Sequence, residues 1–257
     1  MTARLARTVS SAALVLLTTA CTNYYEIPIE TPIRPKLDVS AFQRVLVAGF
    51  ISGGTDDVDA NLETTRLLRS QLRTKSELRV IDTDVLPLME VANESNSQSS
   101  GGSAASGSGA TQPQIKDEKD LEPFERVFAN VEYWKKVGEE YQQPLIVTGT
   151  VMFTPHQRNS IVQREEEVYD SFGRRRVVPV RTYMERKGYI LQPKFIFIDG
   201  RTGTVMHSEN FREEVLYNAN QSTPALSSYF ELMDRLIPSF LSTLSSQKIK
   251  GTRVLLE

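Results

Sequence analysis

The sequence predicts a single α/β domain with a mixed β-sheet flanked by helices, a projecting β-hairpin and a disordered Ser/Gly insert. Three observations carry this. β-branched apolar runs alternate with segments of helical period along most of the chain. The first such group, FQRVLVAGF, NLETTRLLRSQLRT and LRVIDTD, reads as strand–helix–strand, the unit that normally makes a right-handed crossover between parallel strands. Further on, REEE and RRR flank a DSFG turn within otherwise strand-like sequence.

Residues 1–20 read as a lipoprotein signal peptide. Arg4 and Arg7 are the only charges before position 26, and SSAALVLL, Ser10 to Leu17, is an apolar core too short to span a bilayer. Thr18, Thr19 and Ala20 lead into Cys21, the chain's one cysteine. A cysteine at the cut resembles the lipobox of bacterial lipoproteins, although Thr18 stands where leucine or valine is commoner. That resemblance implies a lipidated thiol at Cys21, an exported protein and a durable membrane tether. A lone thiol spent on an anchor leaves no partner for an intramolecular disulfide. Thr22, not aspartate, follows it, which in enterobacterial lipoproteins favours the outer membrane, with the body facing the periplasm.

Removing residues 1–20 leaves 28 basic against 32 acidic side chains over 237 residues. A mildly acidic chain has no basic excess to bind nucleic acid, and this length suffices for one well-buried domain with insertions. Two histidines and no second cysteine argue against a zinc site, and no cofactor is expected.

Residues 21–40 carry three prolines and no helical period, and read as an extended tether. The α/β domain is expected over 41–257. Phe42 to Phe50 is its first strand, ending in a Gly/Asp turn at ISGGTDD; Asp59 or Asn61 caps a helix with Leu62, Leu67, Leu68 and Leu72 on one face. Leu78 to Asp84 is the second strand. Residues 91–120, dominated by Ser, Gly, Asn and Gln, have almost nothing to bury and read as disordered.

Phe124, Val127, Phe128, Val131, Trp134 and Val137 line one face of a helix over Leu121 to Tyr141, and Pro144 to Phe153 is a third strand. The charged hairpin is expected over 157–187. With its turn at DSFG, Glu167 falls near Arg176 and Val168 near Arg175, so Glu165, Glu166 and Glu167 face the neighbourhood of Arg174, Arg175 and Arg176. These six residues are the candidate partner-binding group. Leu191 to Ile198 and Thr204 to Val215 are strands joined by the DGRTG turn. Thr223 caps, and Pro224 starts, an amphipathic helix to Gln247, and GTRVLLE closes as a short edge strand.

Catalytic constellations are not evident. His156 and His207 are isolated, no serine sits in a GxSxG elbow, and GFISGG matches neither GxGxxG nor the P-loop. Three consecutive glutamates on a strand point alternately to opposite faces and cannot converge on one cation. No enzyme is expected.

The segments RVLVAGF, LLRSQLRTKSELRVID, PLIVTGTVMF and FIFIDGRTGTVMHSENF together resemble periplasmic lipoproteins and domains with the TolB amino-terminal-domain fold, shared with the curli secretion-channel subunit CsgG and the penicillin-binding-protein activator lipoproteins. The resemblance covers Phe42 to Gln247 apart from the insert and the charged hairpin. It implies a binding role: a lipid-anchored interaction or assembly factor with an envelope protein partner, or a subunit of an oligomeric CsgG-like export ring, with homo-oligomerisation possible in either case. Charges in the middle of Ile161 to Tyr183 argue against a membrane-lining hairpin, because Arg or Lys on the lipid face costs about 2–4 kcal/mol at the midplane.

Overall fold

The computed structural model describes residues 24–99, 115–169, 171–218, 220, 221 and 224–256; the leader, Cys21 and residues 100–114 of the insert lie outside them. The described strands are β1 (Tyr24–Ile33), β2 (Arg44–Gly54), β3 (Arg79–Val80), β4 (Leu145–Tyr169), β5 (Arg175–Asp199), β6 (Val205–Asn210), β7 (Glu213–Asn218) and β8 (Gln247–Leu256). The α-helices are α1 (Ala60–Lys75), α2 (Leu88–Ser99), α3 (Val131–Glu140) and α4 (Ala225–Leu244), with 3-10 turns at Glu118–Leu121 and Glu125–Ala129. The chain divides into two units: Lys36–Ser245, and a second made of the chain ends up to Pro35 and from Ser246.

In the larger unit the sheet order is β3-β2-β4-β5-β6, with β7 also paired to β5. β2 runs parallel to β3 and β4, whereas β5 is antiparallel to β4, β6 and β7. Helices cover both faces, which is why the inner strands read as unbroken apolar runs. On one face Val45, Val47, Phe50, Val147 and Phe195 pack with Leu68 and Leu72 of α1 and with Tyr229, Leu232, Leu236 and Phe240 of α4. On the other, Leu46, Ala48, Ile146, Ile196 and Ile198 pack with Leu88 and Ala92 of α2, with Val127 and Phe128, and with Trp134 and Val137 of α3. Burying such a side chain contributes about 1.5–3 kcal/mol. The result is an α/β/α stack around a mixed sheet.

Local chemistry sets the joints. Asp59 caps α1, its carboxylate accepting from the Leu62 N–H at 3.0 Å. Asn61 instead accepts the Phe50 N–H at 2.8 Å, beside a register shift in the β2–β4 ladder between Val47 and Gly49. Gly49 has φ +123°, and a Cβ there would meet the Val85 side chain at 2.5 Å, so glycine alone suits this bulge. Tyr229 is fully buried and couples α4 to the first turn of α1, donating to the Ala60 carbonyl at 3.1 Å and bonding the Thr64 hydroxyl. Burial pushes its phenol pKa up.

Several expectations are corrected. The tether of residues 21–40 is not a leash along its length: β1 pairs with β8 over ten positions, and Leu37 is buried, its N–H donating to the Thr243 carbonyl at 3.0 Å. β8 therefore pairs with β1 and is not an edge of the main sheet. The span 91–120 is ordered at both ends, because Leu88 and Ala92 anchor α2, and Ile115 is buried with its carbonyl accepting from Gly54 at 2.8 Å. GFISGG is not a turn; Ile51–Gly54 continue β2 against Thr150–Phe153.

The aromatic stripe is buried, apart from half-exposed Val131, yet it does not lie on one helix. Asn130 caps α3 through a 3.1 Å bond from Tyr133 and divides it from the 3-10 turn before it. The second strand is only Arg79–Val80, and Thr204 to Val215 breaks at Phe211–Arg212, so that β6 and β7 pair successive stretches of β5. Pro224 occupies the cap position of α4, the expected cap Thr223 lying outside the described residues, and Pro238 lies inside that helix.

Candidate functional site

β4 and β5 are 25 residues each, far longer than the sheet is deep. β2 accompanies β4 only to Phe153, and β7 accompanies β5 only from Arg186 onward. Among the described residues, Asn159 to Tyr169 and Arg175 to Glu185 pair only with each other. At about 3.3 Å per residue, this free ribbon of eleven pairs is about 36 Å long.

Its root is fixed in the core. Phe153 stacks on Tyr189 with centroids 4.8 Å apart and meets Tyr229 edge-on at 5.2 Å. A hollow of ≈ 430 Å³ lies beside the root, lined by Pro155, Gln157, Lys187, Tyr189, Tyr217 and Gln221. The side chains of Gln157 and Glu185 bond across the strands at 2.6 Å where the free part begins.

The register differs by one from the sequence expectation. Glu167 stands opposite Val177, and Val168 opposite Arg176, because five residues rather than four separate the last pair, Tyr169 and Arg175. Gly173, at φ +74°, supplies the left-handed step that closes this longer loop. A one-residue slip reassigns residues between faces. One face carries Glu165, Glu167 and Arg175 with Ile161, Val177 and Tyr183; the other carries Glu166 and Arg176 with Val162, Val168 and Val178.

The six candidate residues thus share one ribbon but not one face. Arg175 pairs with Glu167 at 2.9 Å, and Arg174 lies in the loop with its guanidinium carbon 5.4 Å from the Phe172 ring centroid. Sequence reasoning passed over the ribbon's apolar component. Ile161 is 72% exposed, Tyr183 63% and Phe172, at the tip, 80%. Its signal was present: Ile161, Val177 and Tyr183 share a parity once the loop length is known.

The histidines are not brought together. His156 lies opposite Gly188 and 3.6 Å from Glu214, while His207 lies opposite Phe197 and 3.5 Å from Glu209. A larger cleft, ≈ 830 Å³, opens at the carboxyl end of β2 beside the start of α1, lined by Ser52, Gly53, Asp59, Asn61, Leu88 and Ile115 among others. Open α/β sheets take ligands at such a place. Here the donors of the loop are already used: Gly54 N–H goes to Ile115, Thr55 N–H to Phe153 and Leu62 N–H to Asp59. Asp56, Asp59 and Glu90 line it as well, which disfavours an anion. Among the described residues no group of three or more His, Cys, Asp or Glu is placed to hold a metal ion, and no helix is long and apolar enough to cross a membrane.

No protein-family model matches the chain, and no curated protein matches it. Among solved structures, the chain is similar to lipoprotein GNA1162 from Neisseria meningitidis, at 12% identity and a TM-score of 0.34, covering 79% of this chain and 99% of that one. It is also similar to a chain described as a neuraminyllactose-binding hemagglutinin homolog from Helicobacter pylori, at 11% identity and a TM-score of 0.30, covering 84% and 87%. Likenesses this distant assign neither a family nor a role.

Proposed function

We propose that this protein is a lipid-anchored lipoprotein of the cell envelope, fixed through Cys21 to the outer membrane and facing the periplasm. It works without catalysis, as an interaction or assembly factor for another envelope protein, on a fold of the TolB amino-terminal/CsgG-like kind. The fold reading is supported by the strand and turn motifs quoted above, and the anchor by the leader that ends in the chain's one cysteine.

The observation that carries the binding role is the free hairpin. A two-stranded ribbon about 36 Å long gains little stability by itself. Held by an aromatic root, with apolar and charged side chains on both faces, it offers a preformed surface to a partner. Its exposed aromatics supply contact area, and its charges set selectivity and encounter rate. The export-ring reading fits the hairpin less well. Arg164 and Arg176 lie on one face and Arg175 and Arg181 on the other, so neither face is the apolar band that a lipid-facing barrel strand requires.

Two variants of the full chain, expressed with its leader, test this. Replacing Arg174, Arg175 and Arg176 with glutamate should reduce the envelope proteins captured with the purified lipoprotein while leaving its melting temperature nearly unchanged; an unaltered capture profile refutes the docking role. Cys21→Ser should release the protein from the membrane fraction, and a membrane-bound product with its leader uncut refutes the anchor.

A further inference from the structure

The strands at the two chain ends form a ribbon of their own, and its two faces differ. The register sets Tyr25, Ile27, Ile29, Thr31 and Ile33 of β1 on one face, with Arg253 and Gly251 of β8 opposite Ile27 and Ile29. The opposite face carries Glu26, Pro28, Glu30 and Pro32 across from Val254, Thr252, Lys250 and Lys248. On this second face Glu30 pairs with Lys248 at 3.3 Å and with Lys250 at 3.9 Å. Tyr25, Ile27, Ile29 and Ile33 are exposed, so the ribbon presents an apolar stripe on one side and ion pairs on the other. Among the described residues, Val254 is the one exposed large apolar side chain on the polar side.

Both prolines of β1 have the same parity. Proline has no N–H to give, so the ladder tolerates them where the N–H would point away from β8, and they blunt the outer edge of β1 against a further strand. The ribbon is thus poorly suited to extend sideways along β1, and what asks for a partner is its flat apolar face. Two strands alone are marginal in water unless such a face is covered.

Position along the chain points to the occupant. Only Thr22 and Asn23 separate Cys21 from Tyr24, the first residue of β1, and Leu256 is paired with Tyr24 at that same end. At about 3.3–3.6 Å per residue, three residues cannot carry β1 further than about 10–11 Å from the lipidated sulfur. That is comparable to the depth at which amphipathic elements sit between headgroups and acyl chains. Tyr25 near the anchored end suits the interface, where tyrosine is enriched. Arg253, opposite Ile27 on the apolar face, can lie along the stripe and reach a lipid phosphate with its head.

We infer that the β1–β8 ribbon is a phospholipid-binding element, laying its Tyr25–Ile27–Ile29–Ile33 face in the bilayer interface beside the anchor, with Glu30, Lys248 and Lys250 toward water. This rests on the reading of Cys21 as the lipidated residue. It gives the tether a second function, that of a foot which fixes the first strand against the membrane.

With Cys21 consumed by lipid, an introduced cysteine is the only free thiol of the full chain. Ile27→Cys, Ile29→Cys and Lys250→Cys, each labelled with a polarity-sensitive fluorophore, are reconstituted in vesicles of phosphatidylethanolamine and phosphatidylglycerol carrying a shallow nitroxide quencher. Labels at 27 and 29 should be quenched at least twofold more than the label at 250. Equal quenching at the three sites overturns the inference. So does protection at 27 and 29 from both nitroxide lipid and aqueous iodide, or a disulfide between copies through position 29, since each means that protein covers the face. The two apolar positions serve as duplicates should one variant fold poorly. Intact mass of the same sample reads Cys21 separately. If no lipid is attached, the anchor reading falls and the ribbon is judged alone, with Cys21→Ser in the labelled variants and vesicles added from outside: selective quenching at 27 and 29 then sustains it, and its absence overturns it.

Discussion

Arg175 donates to Glu167 at 2.9 Å although neither is the other's partner in the ladder, since Glu167 stands opposite Val177 and Arg175 opposite Tyr169. The pair runs diagonally across one face of the hairpin, and both side chains are about half exposed. Exposed pairs of this kind are worth about 0.2–1 kcal/mol. A double-mutant cycle with Glu167→Gln and Arg175→Gln, measured by urea denaturation, should therefore give a coupling below about 1 kcal/mol that shrinks in high salt. A coupling several times larger means that the charges hold the ribbon together instead of facing a partner.

Trp134, the only tryptophan, is fully buried; it stacks on Phe128 at 6.5 Å, and its indole N–H donates to the Val127 carbonyl at 2.9 Å. The native protein should emit at short wavelength and resist acrylamide quenching until unfolding. Trp134→Ala should cost about 3–5 kcal/mol, because the cavity cannot collapse between α3 and the sheet. Retained stability on substitution would show that this face of the core is loosely packed.

The parts of the fold that packing dictates were legible in the sequence. The apolar runs at Val45 and Leu145, the DGRTG turn and the amphipathic helix around Leu236 each obey one local rule. Errors arose where a longer-range partner overrides local composition. Pro28 and Pro32 disguise β1 because they break strand propensity, whereas the alternation of Ile27, Ile29 and Ile33 only gains meaning once β8, more than two hundred residues away, is found opposite. At the hairpin the charges were visible, but the loop length that decides which face they occupy was not. Asn130 divides what periodicity shows as one helix, since a cap is a single side chain inside an otherwise unbroken stripe. The ≈ 830 Å³ cleft needs α1, α2 and Ile115 assembled, and no single stretch signals it.

Acid should reveal the turn between β5 and β6. The Arg201 side chain, bonding to Asp199 at 2.9 and 3.0 Å, holds the Asp199 carboxyl below its ordinary range, assisted by the Arg201 N–H at 2.8 Å, while partial burial opposes this. The folded-state pKa thus lies below the unfolded value of about 3.9. The carboxylate's contribution to stability is fully present above that unfolded value and is lost as pH falls through the folded-state one. Urea midpoints measured from pH 6 down to pH 2 should fall more steeply for the native chain than for Asp199→Asn, the two curves converging in acid. Parallel curves over that range would remove Asp199 from the account.

Gly138 makes the most discriminating test of the layer between α3 and the sheet, because two general expectations disagree there. In a helix interior alanine is ordinarily better than glycine by about 1 kcal/mol. A Cβ at Gly138, however, would lie 1.7 Å from the Gly200 carbonyl oxygen and 2.5 Å from its carbon. That carbonyl has little room to retreat: the Gly200 N–H is bonded to Pro144 at 3.0 Å, and the Gly203 N–H closes the turn onto Asp199 at 2.7 Å. Gly203 itself sits at φ +74°, a conformation that the turn needs and other residues resist. The clash should win. Gly138→Ala is expected to destabilise by about 1–3 kcal/mol or more, lowering the melting temperature by about 2–4 °C for each kcal/mol in a domain of this size. Lys136→Ala, exposed on the same helix, should be nearly neutral. If thermal unfolding shows Gly138→Ala equal to or more stable than the native chain, helix α3 does not approach the Asp199–Gly203 turn as closely as described.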